Sequence, residues 1–303
     1  MANGDFWTTA QWQMFNGNPS ATPPTAGLLK TTMGPMEVAQ QVFPTVITGN
    51  DNPIPADKID PATGVPSTGA TAAFATLQYP FQLAPVQVND PALTIATNQV
   101  ALAAQGLALT EDDLFFNGQN ATLRPRVTVS PSDLLKLGGG LMGVALTNPI
   151  LALAGKVPPD RLEVARLPAR AAPVRWGVNT YYMVLEGLRL FWANAQGPPY
   201  ALMLEPEVFA DVNLYLPGAP SGVTTASIIQ PLLASGPLVQ SAGLQPQQGL
   251  LASLGGQTTT LYVGTGPLVE FNTYANSVYA FTARESIQFV NVDPRSLIML
   301  AFQ

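Results

Sequence analysis

Residues 90–116 read DPALTIATNQVALAAQGLALTEDDLFF, and the spacing of apolar residues within this stretch decides the fold. Asp90 is placed to cap a helix, and Pro91 suits a first turn, where a missing N–H is no loss. Leu93, Val100, Leu107 and Leu114 recur every seven residues, and Ile95, Leu102, Leu109 and Phe116 form a second such series. The two series are offset by two residues, about 200° at 100° per residue. The pattern predicts a long helix over 90–116, ended by Asn117-Gly118. Its apolar stripes lie on nearly opposite sides, so it is expected to be sandwiched between partners rather than laid on one surface.

Upstream, residues 1–43 read as a mostly irregular arm, because Asn18-Pro19 and Pro23-Pro24 favour extended chain. Phe6, Trp7, Trp12, Met14 and Phe15 would make that arm adhesive, so it docks on its own domain, a neighbouring subunit or a bound cargo. A short helix is expected at Met36–Phe43. Residues 48–74 are rich in Gly, Pro, Thr, Asn and Asp and predict a long loop or projecting hairpin. Phe74–Leu83 alternates as a strand, with Pro80 pointing to an edge position.

Downstream come a possible strand at Arg126–Val129 and a glycine run at Gly138, Gly139 and Gly140. A proline-rich portion follows, carrying Arg161, Arg166, Arg170 and Arg175. Thr180–Ala195 reads as a helix with Val184, Leu188 and Phe191 on one face. Pro199–Leu204 reads as a strand, Glu205–Leu214 as a short helix, and 216–225 as a Gly/Pro loop. Strands are expected at Gly249–Ser253, Thr258–Val263, Val269–Tyr274, Val278–Asn291 and Leu297–Phe302. The class is α+β.

Composition narrows the function. Hydrophobic residues make up 47% of the 303-residue chain and charged residues only 11%, against a usual charged share of about 25%. A monomer normally displays a mixed, charged surface, so much of this one is expected to be covered. Lipid is a poor cover, because the longest apolar run, Leu141–Gly155, is too short for a spanning helix and holds Asn148 and Pro149. Met1–Gln13 lacks the basic start and apolar core of a signal peptide. Partner subunits are the better explanation. The net charge is −6 and the four lysines, Lys30, Lys58, Lys136 and Lys156, are scattered. That argues against a DNA reader, though not against a shell enclosing a genome without reading it. There is no histidine and no cysteine, which removes disulfides, thiolate and imidazole metal sites, and Ser-His-Asp or Cys-His catalysis. The lack of cysteine leaves the redox compartment undecided.

The remaining candidates for chemistry favour structural roles. Glu111, Asp112 and Asp113 could together bind a hard cation. Successive helix positions point 100° apart, so a solvated or arginine-paired role is the expectation. The glycine pieces at 138–140 and Gly255-Gly256 lack phosphate-cradling spacing and read as turns. Glu205 and Glu207 flank Pro206 at a helix start, where carboxylates meet the positive end of the dipole. Trp7, Trp12, Trp176 and Trp192 read as packing groups.

Three segments resemble the encapsulins, bacterial nanocompartment shell proteins that share the major-capsid fold of tailed bacteriophages. Thr282–Leu300 (TARESIQFVNVDPRSLIML) is similar to the family's closing strand. Gly197–Val208 (GPPYALMLEPEV), after the helix MVLEGLRLFWANAQ, is similar to its helix, Gly-Pro-Tyr strand and following helix. Gly249–Gly264 (GLLASLGGQTTTLYVG) resembles its paired strands around a Gly-Gly turn. Upstream, Leu107–Gly118 (LALTEDDLFFNG) resembles the end of its spine helix.

The resemblance implies a tailed-phage major-capsid-like fold with an N-terminal arm (1–47), an extended loop (48–83) and a peripheral domain with spine helix (84–125). An axial domain (126–265) and C-terminal strands returning to the peripheral domain (266–303) complete it. It places Leu216, Pro217, Gly218, Ala219, Pro220, Ser221 and Gly222 in a pore loop near a fivefold axis. Three departures stand out. The first 43 residues lack the family's amphipathic cargo-holding helix, Leu83–Asp90 lacks the tryptophan beside which some members bind flavin, and 125–178 reads as an insertion. The expectation is a non-enzymatic subunit that self-assembles into a closed icosahedral shell, with no cofactor, metal or membrane partner. It would enclose a cargo protein as a cytoplasmic compartment or, alternatively, DNA as a virion capsid.

Overall fold

A computed structural model describes residues 6–18, 20, 25–60, 65–147, 176–215 and 222–302. The helices are α1 (Thr9–Asn16), α2 (Leu28–Met33), α3 (Val38–Val42), α4 (Pro85–Val88), α5 (Thr94–Asn117), α6 (Pro131–Lys136), α7 (Gly140–Thr147), α8 (Gly177–Ala193), α9 (Pro206–Val212) and α10 (Thr225–Ile229). Strands β1 (Gly17–Asn18), β2 (Thr25–Ala26), β3 (Thr45–Ile47), β4 (Ile54–Pro55), β5 (Thr71–Ala72), β6 (Ala75–Leu83) and β7 (Thr128–Val129) lie in the first half. Strands β8 (Tyr200–Leu204), β9 (Leu238–Gln240), β10 (Gln248–Ser253), β11 (Thr259–Val263), β12 (Leu268–Ala275), β13 (Val278–Asn291) and β14 (Leu297–Ala301) follow.

The long helix α5 begins at Thr94, four residues later than the apolar spacing suggests, because Leu93 takes a left-handed φ of 49°. Asp90 still caps the first turn, its carboxylate accepting from the backbone N–H groups of Ala92 (3.0 Å) and Thr94 (3.1 Å). The first apolar series, Leu93, Val100, Leu107 and Leu114, is buried throughout. The second divides. Phe116 is buried, while Ile95 and Leu102 are 39% and 48% exposed. The sandwich therefore holds only for the C-terminal end of α5, where every residue from Thr110 to Asn117 is buried.

Two sheets organise the rest. The larger has the order β3-β11-β13-β6-β7, with β12 also paired to β13. Along β6 the residues Ala75, Leu77, Tyr79, Phe81 and Leu83 are buried in strict alternation, which sets one face against the core. Pro80 sits at an edge position as expected, although β6 is not an edge strand throughout: β6 pairs with β13 along its length. On the other flank β7 covers only Leu77 and Gln78, so the flank beside Pro80 is open.

The smaller sheet has the order β14-β10-β8-β9 and is apolar on both faces. Leu202, Leu204, Leu251, Ile298 and Leu300 point into a core shared with Val184, Leu188 and Phe191 of α8 and Val208 and Val212 of α9. The alternate residues Ala201, Met203, Leu250, Ala252 and Leu297 enter the main core with α5. A period of two thus feeds two cores from one sheet, which is why YALML and GLLAS are continuous apolar runs. The sheets also exchange strands relative to chain order. Thr259–Val263 pairs in the larger sheet, and Leu297–Ala301, after the long closing strand, pairs with β10 in the smaller.

The N-terminal arm is more regular than its prolines suggest. Thr8 and Gln11 form a reciprocal capping box that starts α1, and α2 follows outside the expected short helix, which appears as α3. Pro19, Pro23 and Pro24 lie outside the described residues. The arm docks on its own chain. Trp7 stacks on Phe281 with ring centroids 4.9 Å apart and planes at 17°, and Phe281 stacks in turn on Phe81 at 5.3 Å and 12°. Gly118 closes α5 at φ 56°, and a Cβ there would lie 2.2 Å from the Gly138 carbonyl oxygen and 2.4 Å from the Gly140 nitrogen. The glycine run is therefore a close backbone contact beneath the helix end.

Candidate assembly surfaces and a buried carboxylate cluster

The segment read as a projecting loop is a thin hairpin. Ile54 pairs with Ala72 and Pro55 with Thr71, and an isolated bridge joins Ile59 to Pro66 farther out. Its root is tied down by Ile54 and Phe74 packing with Val290, and farther out the Ile59 N–H donates to the Val292 carbonyl at 2.6 Å. Residues 65–71 are exposed, Val65 among them. More apolar surface lies bare on β3, where Val46 and Ile47 are exposed at the edge of the larger sheet, and on the first turns of α5 at Ile95 and Leu102. At the smaller sheet's end Tyr215 pairs with Thr224 across the neck of the 216–222 loop. Of that loop only Gly222 is described, with φ 91°. Leu216, Pro217, Gly218, Ala219, Pro220 and Ser221 lie outside the described residues, as do Arg161, Arg166, Arg170 and Arg175. Trp7 and Trp176 are buried packing groups as expected, but Trp192 is 68% exposed and uses its indole N–H on the Tyr200 hydroxyl at 3.0 Å.

The acidic run on α5 is not solvated, contrary to the expectation. Glu111, Asp112 and Asp113 are all buried, and the 100° step sends each to a different partner. Asp112 caps α3, accepting from the backbone N–H groups of Val38 (3.0 Å) and Ala39 (2.9 Å). Burial nonetheless pushes its pKa up to about 7. Asp113 orders the turn after α5 through Asn117 Nδ2 (2.6 Å) and the Thr122 N–H (3.1 Å), and burial raises it as well.

Glu111 joins two acids that the sequence reading passed over as chemistry. Carboxylate oxygens of Glu37, Glu111 and Glu285 all lie within 4.8 Å of one another, and all three residues are buried. Lys30 Nζ reaches Glu37 Oε2 at 2.6 Å and Gln40 Oε1 at 3.3 Å, while the Gln40 amide donates to Glu111 Oε1. Burial drives Glu111 well above the usual carboxylate range, with the neighbouring Glu285 and Glu37 charges adding to it. Burial likewise pushes Glu285 up to about 7. Glu37 is raised by burial despite Lys30. Burial opposes the charge of Lys30, but the surrounding carboxylates prevail and raise its pKa. One signal was available: Glu285 interrupts the alternation of Phe281, Ala283 and Ile287, an acid on an otherwise apolar strand face. Glu205 is a helix cap, as expected, accepting from the N–H groups of Val208 (2.8 Å) and Glu207 (3.1 Å).

No family model matches this sequence, and no curated protein matches it. Solved structures do match over nearly the whole chain. A virus-like particle from Pyrococcus furiosus aligns with a TM-score of 0.58 at 13% identity, covering 90% of this chain and 96% of that one. The holo-SrpI encapsulin complex from Synechococcus elongatus aligns at 0.51 and 12% identity, covering 97% and 95%. The fold is that of encapsulins and HK97-like phage capsid proteins. A structure of Mycobacterium phage Bobi aligns at 0.52 and 15% identity, covering 88% of this chain and 90% of that one. Within this fold α5 is the long helix packed on β6 and β13 of the larger sheet. Among the described residues no helix is long and apolar enough to cross a membrane.

Proposed function

We propose that this chain is a non-enzymatic shell subunit that self-assembles into a closed icosahedral compartment, encapsulin-like, enclosing a cargo protein. The observation that carries the reading is a capsid-type fold whose bare apolar groups lie on projecting or edge positions: Val65 on the hairpin, Val46 and Ile47 on β3, Ile95 and Leu102 on α5. Each such contact can be weak, because a closed symmetric shell sums many of them. A peripheral unit built on the larger sheet and α5, an axial unit built on the smaller sheet with α8, α9 and α10, and a pore-side tip at 216–222 fit this reading. Low charge suits permanent association.

A second reading, a major capsid protein enclosing DNA, is favoured by the arm. Its aromatic residues are spent on the subunit's own core rather than presented to a cargo. Expression of the chain alone, followed by negative-stain microscopy and sizing, tests the shell. A stable monomer at micromolar concentration sinks both readings. Nuclease-protected nucleic acid inside natively purified particles selects the capsid, and a co-purifying stoichiometric protein selects the compartment.

A further inference from the structure

We propose that Glu37, Glu111 and Glu285 bind one hard divalent cation, and that the ion ties the N-terminal arm, α5 and β13 together. Four buried oxygens in the cluster have no hydrogen-bond donor: Glu37 Oε1, Glu111 Oε2 and both oxygens of Glu285. The other oxygens are occupied, Glu37 Oε2 by Lys30 and Glu111 Oε1 by Gln40. Glu285 is fully buried, and its near polar neighbour is another carboxyl group, Glu111. Glu111 and Glu285 are close enough to share a hydrogen bond when one is protonated, but once both are ionised, two carboxylates facing each other out of water need a positive charge between them.

The size and charge both fit a metal ion. Oxygens at calcium-like distances of about 2.3–2.6 Å lie at most about 5 Å apart across the ion, which accommodates a set within 4.8 Å. Three ionised carboxylates and the Lys30 ammonium leave two negative charges, the complement of a divalent cation. The Lys30 side chain is 33% exposed, so the otherwise buried cluster reaches solvent beside it. Protons are the competing occupants. Lys30 on α2, Glu37 before α3, Glu111 and the adjacent Asp112 on α5, and Glu285 on β13 are the charged groups that share the field. A carboxylate binds a cation in its deprotonated form, so uptake strengthens as pH rises.

The test uses the full chain, stripped with EDTA and dialysed against Ca2+, Mn2+ or Mg2+ near neutral pH. The expected result is about one divalent ion retained per subunit. At a hundredfold excess over Kd the folded-to-unfolded ratio rises about 100-fold, seen as a higher unfolding midpoint. Glu285→Gln and Glu111→Gln, nearly isosteric, should each abolish retention and the midpoint shift. No stoichiometric ion in the wild type, or retention by either folded variant, overturns the proposal. A midpoint that follows pH alone and ignores the ions also overturns it, leaving the cluster to protons.

Discussion

Replacing Trp7 by alanine should free the N-terminal arm while leaving the two cores folded. Trp7 is buried, stacks on Phe281, touches Phe6, Trp12 and Phe15 edgewise or at a tilt, and donates its indole N–H to the Val88 carbonyl at 3.1 Å. Truncating a buried tryptophan costs about 3–5 kcal/mol, and the lost hydrogen bond to a buried carbonyl contributes about 1 kcal/mol of that order. The rest of the arm keeps its own ties, through Asn16 to Val269, Val38 and Ala39 to Asp112, and β3 to β11, so the loss should fall on local opening around α1 rather than global unfolding. Taking the lower figure, about 3 kcal/mol, the open population rises on the order of 100-fold. Native-state chymotrypsin digestion reads this directly, as cleavage at Trp12 and Phe15 accelerated by that factor, with an unchanged denaturant midpoint for the remainder. Trp7→Phe keeps a stacked ring and loses only the hydrogen bond, so its cleavage should accelerate about tenfold or less. Wild-type cleavage rates in Trp7→Ala would refute the assignment of the ring stack as the arm's anchor.

Three further outcomes are expected. Replacing residues 56–70 with a two-residue turn closes the Pro55–Thr71 rung; sizing and microscopy should then find folded subunits that form no particles, and intact shells would remove the hairpin from assembly. Gly118→Ala puts a Cβ 2.2 Å from the Gly138 oxygen at a left-handed φ and should cost about 2 kcal/mol or more by denaturant titration. Asp112 and Glu285 both sit near pH 7 when folded, above their unfolded values of about 3.9 and 4.3. In chelator their stabilising contribution is full below about pH 4 and is lost as pH rises through 7. Glu285→Gln should flatten that slope in denaturant midpoints taken from pH 5 to 9, and an unchanged slope would show that Glu285 does not titrate there.

The long helix and the closing strands were legible because their signals are local. A seven-residue spacing marks α5, and alternation marks β6 and β13. Periodicity says which side of a helix is apolar but not what covers it, which is how Ile95 and Leu102 came to be read as sandwiched. The acidic run at 111–113 was misread for a related reason. Its partners, Val38, Ala39, Gln40 and Glu285, stand more than seventy residues away, and charge alone suggests water. The arm's first helix was present as Thr8 and Gln11 three residues apart, but the prolines behind it dominated the reading. Strand exchange between the sheets left no trace, since β11 and β14 look alike as strands and differ only in which distant neighbour they pair with.

The arm's docking site has a consequence for when the subunit becomes complete. Asn16 exchanges hydrogen bonds with the backbone of Val269 at 2.7 and 3.0 Å, β3 lies along β11, and Trp7 seats on Phe281. Trp7, Asn16 and β3 thus have no seat until β11, β12 and β13, which follow them in the chain, have been made. Contacts closing such long loops form late and slowly. A chain still in synthesis, or one cut short, keeps its aromatic arm exposed and lacks the long closing strand on which the larger sheet is built. Only a chain that includes β13 can bury the ring of Trp7, so synthesis of that strand and closure of the core coincide.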